Sequence, residues 1–422
     1  MTQTFVSPGV AWVIIGLFSV LWIALSAVWA RQVRTTEDYL FAGRNVGLAF
    51  ATATAMATWV TGNTTLAAPE MAYNVGIWGM IGYSLDGFGL LYFAPLAARI
   101  RKLMPHGFTS GDFIRLRYDR KSWYIFLVIS TAYFIGWLIT QGMGAGLVLQ
   151  AVSGIPYQVG MVVVIAVCTI YVLMGGMKAI IGTDFIQALL IMILLIPLAI
   201  LAYAKFGLRS VYEGLMLSAP DRLNLLLPAG LFYAWNTCLF SIGEIFHSNV
   251  WWARAYSFRP EINSRAFVIS GLAWMTVPIV TGSLALVALA QKFTIPQVNM
   301  VFPIVAGQLL GATGGILVLI IVFASLASTI DSILGATADL IVRDVYQVMI
   351  RPAATDDEMR RASRWIVLGL GVLTILLSWK YVTSMYLLLL FTGAMAGQPS
   401  GPSSPASTGL TPAGRAPSGE CC

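Results

Sequence analysis

Four hydroxyl side chains recur at helical spacing inside one of the most apolar stretches of the chain. The segment 323–346 reads FASLASTIDSILGATADLIVRDVY and carries Ser325, Ser328, Thr329 and Ser332 at i, i+3, i+4 and i+7. This spacing places the four hydroxyls on one face of a helix. Because hydrocarbon offers them no water, that face must turn toward other protein groups or an aqueous cavity.

These oxygens could bind a small cation. Serine and threonine oxygens near the carboxylates of Asp331 and Asp339 are hard ligands of the kind that such ions prefer, and polar interruptions of a membrane helix often mark ion sites. Serine and threonine also line packed membrane helices without binding anything. The segment alone leaves both interpretations open.

The elements that hold this face are predicted to be membrane helices. The chain is 58% hydrophobic and 10% charged, with a mean hydropathy of +0.81, which excludes a soluble globular protein of 422 residues. Runs long enough to cross a bilayer occur at 8–30, 46–68, 75–98, 122–152, 156–174, 180–203, 227–250, 266–290, 303–342 and 364–381. The first run lacks a basic n-region and a cleavage site, so we interpret it as a retained helix.

Basic residues indicate the orientation of these helices. If the chain alternates sides after the first helix, the loops on one side carry 19 of the 25 Lys and Arg residues and the opposite loops carry five. Such a split predicts that the basic loops are cytoplasmic and the N-terminus is outside. The net charge of +7 is then explained by loops that face anionic lipid, so we expect no nucleic-acid partner. We expect a bacterial inner (plasma) membrane protein with no obligatory protein partner.

The second run contains a break signal at its centre. Its middle reads TATAMATWVTGNTT, in which Gly62-Asn63 is a turn signal between poor helix formers. A break there would free carbonyls and amides at mid-membrane, where transporters build ion and solute sites. A glycine kink that packs closely against a neighbouring helix is the alternative.

Three motifs together resemble the sodium:solute symporter family, which includes proline, sugar, pantothenate, urea and sialic acid transporters. They are EDYLFAGRNVG at 37–47, GGMKAIIGTDFIQ at 175–187, and SLASTIDS with RDVY within 325–346. The resemblance implies an all-α polytopic membrane protein with a LeuT-like core of two inverted five-helix repeats. We place the extra N-terminal helix and its loop at 1–45, the repeats at 46–203 and 227–396, and an external loop at 204–226.

The same resemblance implies the sodium ligands. The principal site would combine backbone carbonyls of Ala57 and Val60 with Ser325, Ser328 and Thr329. In some members a second sodium ion lies on the exit path, at positions that here are Asp184, Ser328, Asp331 and Ser332. Those members have serine where this chain has Asp331. Two such carboxylates would repel each other unless one were protonated, a cation lay between them, or Lys178 or Arg343 neutralised one of them.

The residues that bind the solute are predicted from their depth in the helices around the break. Aromatic or polar side chains at that depth are Trp59, Thr61, Asn63, Asp86, Trp137, Gln141, Trp235 and Asn236. Each also has a structural alternative, since tryptophan often packs in cores or at membrane interfaces, and asparagine and glutamine often bridge helices. The sequence around the break is closer to the urea-type and amino-acid-type branches than to the sugar transporters.

No enzyme motif appears in the sequence. Glu244 and His247 share a helix face at i, i+3, but a metal site needs further ligands, so we expect a structural pair near the cytoplasmic end of the sixth core helix. Ser/His/Asp sets, HExxH motifs, CxxC pairs and phosphate-binding glycine loops are missing. The four cysteines predict no disulfide framework.

The end of the sequence is unusual for the family. An eleventh apolar run begins near Met385 and ends by Ala396, too early to cross a bilayer, and a Pro/Gly/Ser-rich tail at 397–422 follows. We therefore expect the second repeat to be C-terminally truncated, by a frameshift or chimeric junction near 397. A genuine short tail is the alternative.

Two functions from different classes remain open. The first is a secondary transporter that imports a small polar solute, such as proline or urea, with Na⁺ by alternating access. The second is a transporter-like sensor or receptor that binds the solute without net transport.

Overall fold

The computed structural model describes residues 6–380, and within this range the chain is built from helices. The predicted eleventh run near Met385 and the tail at 397–422 lie outside the described residues. The division into repeats at 46–203 and 227–396 therefore stays a prediction.

Sixteen α-helices are present among the described residues. They are α1 (Pro8–Ala30), α2 (Thr36–Phe41), α3 (Leu48–Trp59), α4 (Gly62–Val75), α5 (Ile77–Ser84), α6 (Gly87–Leu103), α7 (Ser110–Arg117), α8 (Arg120–Ser153), α9 (Tyr157–Phe206), α10 (Leu208–Ser218), α11 (Pro228–His247), α12 (Asn249–Ser257), α13 (Asn263–Ala290), α14 (Val301–Leu310), α15 (Ala312–Leu340) and α16 (Asp356–Leu377). The segment Ile341–Ile350 continues α15 as a π-helix.

Five helical segments in the described part of the chain are long and apolar enough to cross a bilayer by themselves: α1, α8, α9, α13 and α15 with its π-helical extension. The predicted runs at 46–68 and 75–98 are instead divided between shorter helices, α3 with α4 and α5 with α6. The run predicted at 227–250 contains the end of one helix and the start of another. Helix α11 ends before Ser248, and α12 continues to Ser257, beyond the predicted end of the run. Such interruptions free backbone N–H and C=O groups from helical hydrogen bonds, as a site lined by backbone groups requires.

A glycine allows α9 to contain two of the predicted runs. Gly176 lies at φ +54° and ψ −143° within the helix, where the chain changes direction between the runs 156–174 and 180–203. A Cβ at this position would collide with the carbonyl oxygen of Tyr39. Only glycine tolerates both the backbone angle and the close approach.

The hydroxyl-bearing helix lies at the centre of the fold. All residues of α15 from Ile321 to Leu340 are buried, and α15 packs against α9, α8 and α3. Helix α13 packs against α3, α4, α5 and α6, and α1 packs against α9. On the outside, apolar side chains of α1 such as Val13, Leu17 and Val20 are more than 60% exposed, as expected for a surface that faces lipid.

Candidate ion and solute site

The predicted break in the second apolar run is confirmed. Helix α3 ends at Trp59, Val60 leaves the helical region with ψ 83°, and α4 begins at Gly62. Thr61 starts α4 with a capping box, in which its hydroxyl accepts a hydrogen bond from the backbone N–H of Thr64 at 3.1 Å. The break therefore lies at Val60-Thr61, just before the Gly62-Asn63 signal, because threonine is the better N-cap.

The hydroxyl face of α15 contacts the last turn of α3. The Ser328 hydroxyl donates to the carbonyl oxygen of Ala57 at 2.8 Å, and the Thr329 hydroxyl donates to that of Thr58 at 3.2 Å. Both hydroxyls are also 3.1 Å from the carbonyl oxygen of Ser325. The Ser325 hydroxyl is instead directed along its own helix to Ile321, so Ser325 offers this cluster its carbonyl.

This cluster suits a small hard cation. Its oxygens come from backbone carbonyls and neutral hydroxyls, and Ala57, Val60, Ser325 and Ser328 are fully buried. Because α3 ends at Trp59, the backbone carbonyls of its last turn lack the hydrogen-bond partners that a continuous helix would give them. Sodium coordination by such oxygens needs no buried formal charge.

A buried arginine on α12 contacts α15 at Ser332, one helical turn after Ser328 of this cluster. The Arg254 guanidinium, on α12, forms an ion pair with the Asp184 carboxylate at 3.1 Å, and both side chains are completely buried. Arg254 also donates to Ser332 at 2.7 Å and to Thr58, while Asp184 accepts from Thr54 at 2.5 Å. The ion pair thus joins four helices, α3, α9, α12 and α15.

The second carboxylate of this region has different partners. Asp331 accepts a hydrogen bond from the Tyr171 hydroxyl at 2.6 Å and one from the Ser332 hydroxyl at 3.0 Å. Ser332 therefore lies between Asp331 and Arg254. The structure brings all four residues of the proposed second sodium site to one place, but it puts a guanidinium among them.

The two basic residues that the sequence suggested as neutralising partners are elsewhere. Lys178 pairs with Asp38 at 3.5 Å, and Arg343 pairs with Asp112 at 3.3 Å. The sequence does not predict the position of Arg254, because the apolar run 227–250 ends before it and places the arginine in a loop. The available signal was a single arginine among the aromatic and apolar residues of NVWWARAYS.

A cavity of about 20 Å³ lies beside the break in α3 and α4. Its lining is mostly aromatic and hydroxylic, and it includes three of the predicted solute residues, Trp59, Thr61 and Trp137. The full lining is Thr58, Trp59, Thr61, Tyr133, Phe134, Trp137, Glu244, Ser248, Val250, Trp251, Thr329 and Ile333. Thr329 thus belongs to both the candidate ion cluster and the cavity.

Of the other predicted solute residues whose side chains are described, none lines this cavity. Trp235 is 63% exposed and Asn236 is exposed, because both lie on the outward face of α11, well before its break at Ser248; the structure therefore places both away from the cavity. Gln141 is buried, and its amide has no hydrogen-bond partner among the described residues. The carbonyl of Asp86 accepts from Trp59 Nε1 at 3.4 Å and from Ser241. Nothing is described of the side chain of Asn63.

Glu244 and His247 lie at a helix break, which corrects their predicted place at the end of the sixth core helix. The backbone N–H of Ser248 still bonds to the Glu244 carbonyl at 2.8 Å, and α12 starts at the next residue. Glu244 lines the cavity, and its Oε2 accepts a hydrogen bond from Trp251 Nε1 at 2.8 Å. His247 packs edge-on against Tyr133, with ring centroids 5.2 Å apart.

Comparison with protein families gives one match that covers most of the chain. The sequence model of the sodium:solute symporter family matches residues 39–403. The match contains two of the three sequence motifs and the third from Tyr39 onward, and it includes every residue that lines the cavity.

Curated relatives include transporters of two solute types. The chain is 25% identical over 453 aligned residues to the urea-proton symporter DUR3 of Oryza sativa subsp. japonica, covering 91% of this chain and 62% of that protein. It is 24% identical to the urea active transporter of Saccharomyces cerevisiae, covering 78% and 49%, and 25% identical to the high-affinity proline transporter PutP of Bacillus subtilis, covering 88% and 81%. The chain thus spans about half to three fifths of the length of these two urea transporters.

Solved structures establish the fold by similarity. A Na⁺-coupled sialic acid symporter in a substrate-bound outward-open state aligns with a TM-score of 0.78 at 17% identity, covering 92% of this chain and 85% of that one. MhsT in complex with L-phenylalanine aligns with a TM-score of 0.54 at 16% identity, covering 83% and 88%. The predicted fold class, all-α and LeuT-like, is confirmed.

Proposed function

Because the chain belongs to the sodium:solute symporter family, we propose that it imports a small polar organic solute together with Na⁺ by alternating access. The observation that carries this proposal is the contact between the Ser328 hydroxyl and the Ala57 carbonyl at 2.8 Å. It joins a helix break to the hydroxyl face of a central helix. The sodium ion is bound there by Ala57, Val60, Ser325, Ser328 and Thr329.

The solute binds in the adjoining aromatic cavity. Thr329 lines the cavity and also bonds to the Thr58 carbonyl in the ion cluster. Sodium binding at this cluster therefore stabilises the same helix ends that form the cavity wall. Shared residues of this kind couple the two ligands, because each one favours the conformation that the other needs.

Sodium entry supplies enough free energy for accumulation. One inward charge across 100 mV contributes about 2.3 kcal/mol, and a tenfold sodium gradient adds about 1.4 kcal/mol. Together these support a solute gradient of several hundredfold per sodium ion. Import requires the basic loops on the inside and the N-terminus outside, which is the orientation that the basic residues favour in a bacterial plasma membrane.

The solute candidates are urea and an amino acid such as proline. Relatives of both kinds support them, since DUR3 is named as a urea-proton symporter and PutP as a proline transporter.

Accumulation in proteoliposomes tests the proposal. An inward sodium gradient with a negative interior should drive labelled solute above its external concentration, and a potassium gradient should not. Binding of the solute without accumulation would support the sensor alternative instead. The variant Ser218→Ala should accumulate solute like the unmutated protein, because Ser218 is an exposed serine whose hydroxyl bonds only to its own helix.

A further inference from the structure

The cavity contains one carboxylate and no basic side chain. Glu244 is 4% exposed and lines the cavity, and none of the lining residues is Lys, Arg or His. Among residues 6–380, no ion pair involves Glu244. Its side-chain neighbours are neutral donors: the indole N–H of Trp251 bonds to it at 2.8 Å, and the hydroxyls of Ser248 and Tyr133 also lie beside the carboxylate.

Buried carboxylates of this protein are compensated in different ways: among the described residues, Asp331 accepts only from hydroxyls, whereas Asp184 has a charged partner. That side chain is paired with Arg254 and receives a hydroxyl donor as well. A carboxylate that is removed from water without such compensation is costly, so its donors are expected from another molecule. Glu244 differs from Asp184 in facing a cavity, where that other molecule can be the solute.

The walls around Glu244 are flat and aromatic. The ring of Trp59 packs edge-on against that of Trp251, with ring centroids 5.2 Å apart. The ring centroids of Trp59 and Trp137 are 6.5 Å apart, and the angle between the two ring planes is 30°. Tyr133 lies 6.2 Å from Trp137 and completes this part of the lining. Tryptophan faces suit a planar solute, and they attract N–H groups and cations through the negative face of the ring.

We propose that Glu244 is a specificity-determining residue that accepts paired N–H groups from a small planar solute of the urea class, in which two nitrogens are bonded to one carbon. This inference rests on the proposed function. Two parallel N–H groups match the two oxygens of a carboxylate, as in arginine–carboxylate pairs. Guanidinium presents the same paired N–H groups with a positive charge, so it is the cationic member of the class.

The same carboxylate selects against anionic solutes. Acetate and other carboxylates would place a like charge beside Glu244 in a site of low dielectric constant. Proline, with its single carboxylate and one secondary ammonium group, cannot present paired N–H groups from a planar centre. The proposal therefore separates urea-type from proline-type transport within one family.

Binding and uptake are measured with the full chain and four probes: urea, acetamide, guanidinium and proline. Tryptophan fluorescence of the purified protein, at millimolar probe concentrations and with sodium, reports binding without transport. Sodium-driven uptake of labelled urea in proteoliposomes reports transport. We expect urea to bind and guanidinium to compete with it, because both present paired N–H groups. Acetamide, whose single nitrogen cannot present the pair, should bind at least about tenfold more weakly, and proline should have no effect.

Glu244→Gln keeps the size of the side chain and exchanges one acceptor oxygen for a donor. Losing a hydrogen bond to a charged acceptor should weaken urea binding about tenfold to a hundredfold. Glu213→Gln, on an exposed loop helix, is the matched control and should leave binding unchanged. A sodium-dependent increase in thermal stability that survives in Glu244→Gln shows that the variant is folded and still binds the ion.

The outcomes separate the two proposals. Sodium-driven uptake of proline but not of urea, or unchanged urea affinity in Glu244→Gln, would overturn the role of Glu244 while leaving sodium symport intact. Loss of urea binding in Glu244→Gln, with the sodium effect on stability retained, supports it. Absence of any sodium effect on stability or uptake in the unmutated protein would reject the proposed function itself.

Discussion

The Arg254 guanidinium lies 3.1 Å from the Asp184 carboxylate, and neither side chain is accessible to solvent. The pair connects α12 to α9 and, through Thr54, Thr58 and Ser332, to α3 and α15. A pair this deeply buried is held by its geometry and by the additional hydrogen bonds, because the attraction between the charges must offset the loss of hydration.

Removing one partner should therefore destabilise the protein. Arg254→Met leaves Asp184 as an unpaired buried carboxylate, at a cost of about 3–5 kcal/mol. Adding Asp184→Leu should restore most of that loss, because two apolar side chains leave no charge unpaired. Thermal unfolding in detergent measures both. Arg209→Met, at an exposed ion pair, should change little, and an equally small effect of Arg254→Met would contradict the buried pair.

The same pair changes the expected number of sodium ions. Arg254 supplies a resident positive charge where the sequence suggested a second sodium ion, so we expect one sodium ion per solute and a Hill slope near one. Arg254→Gln removes that charge beside Asp184 and Asp331, and the slope should then rise toward two. Sodium activation of uptake and the charge-to-solute ratio measure this. A slope clearly above one in the unmutated protein would show that a second ion binds despite Arg254.

The principal sodium site predicts a change in sodium affinity. Replacing Ser328 and Thr329 together by alanine removes two hydroxyl ligands, and the sodium concentration for half-maximal effect should rise at least about tenfold. Sodium-dependent thermal stabilisation measures this without solute. Thr337→Ala is the matched control, since Thr337 is buried on the same helix and bonds to Ile333 of that helix at 2.6 Å. Equal effects of the double variant and the control would reject the site.

The cavity predicts which tryptophans bind the solute. Trp251→Phe removes the N–H that bonds to Glu244 at 2.8 Å, so solute affinity should fall several-fold while sodium affinity changes less. Trp235→Phe, on the exposed face of α11, should change neither. Titrations of uptake with solute and with sodium compare the two variants. A larger effect at Trp235 would mean that the solute binds outside the cavity.

The turn inside α9 predicts a stability effect far from the ion. Gly176→Ala would force a side chain into a left-handed backbone and against the Tyr39 carbonyl, so it should cost about 1–3 kcal/mol. Gly369→Ala on α16 is the matched control, because no atom lies within 4 Å of its Cβ position. Thermal unfolding measures both, and the control should be neutral or slightly stabilising. If Gly176→Ala is equally neutral, the backbone there does not require glycine.

The sequence by itself determined the class of the protein and the hydroxyl residues of its candidate ion cluster. Apolar length and hydroxyl spacing are local properties, so the membrane helices, the hydroxyl face of α15 and the break before Gly62 could be predicted from neighbouring residues. The contact of Ser328 with Ala57 was implied by the family resemblance, and the two residues are 271 positions apart.

Only the tertiary structure decided which charges meet. Arg254 and Asp184 are 70 positions apart and lie on different helices, so no local pattern connects them. Residue 254 belongs to the protein interior because the chain continues after the break at Ser248 as the buried helix α12, whereas hydropathy places it in a loop. The same break brings Glu244 to the cavity wall and leaves Trp235 on the outside. Position relative to a break depends on how helices pack, and apolar length alone does not encode it.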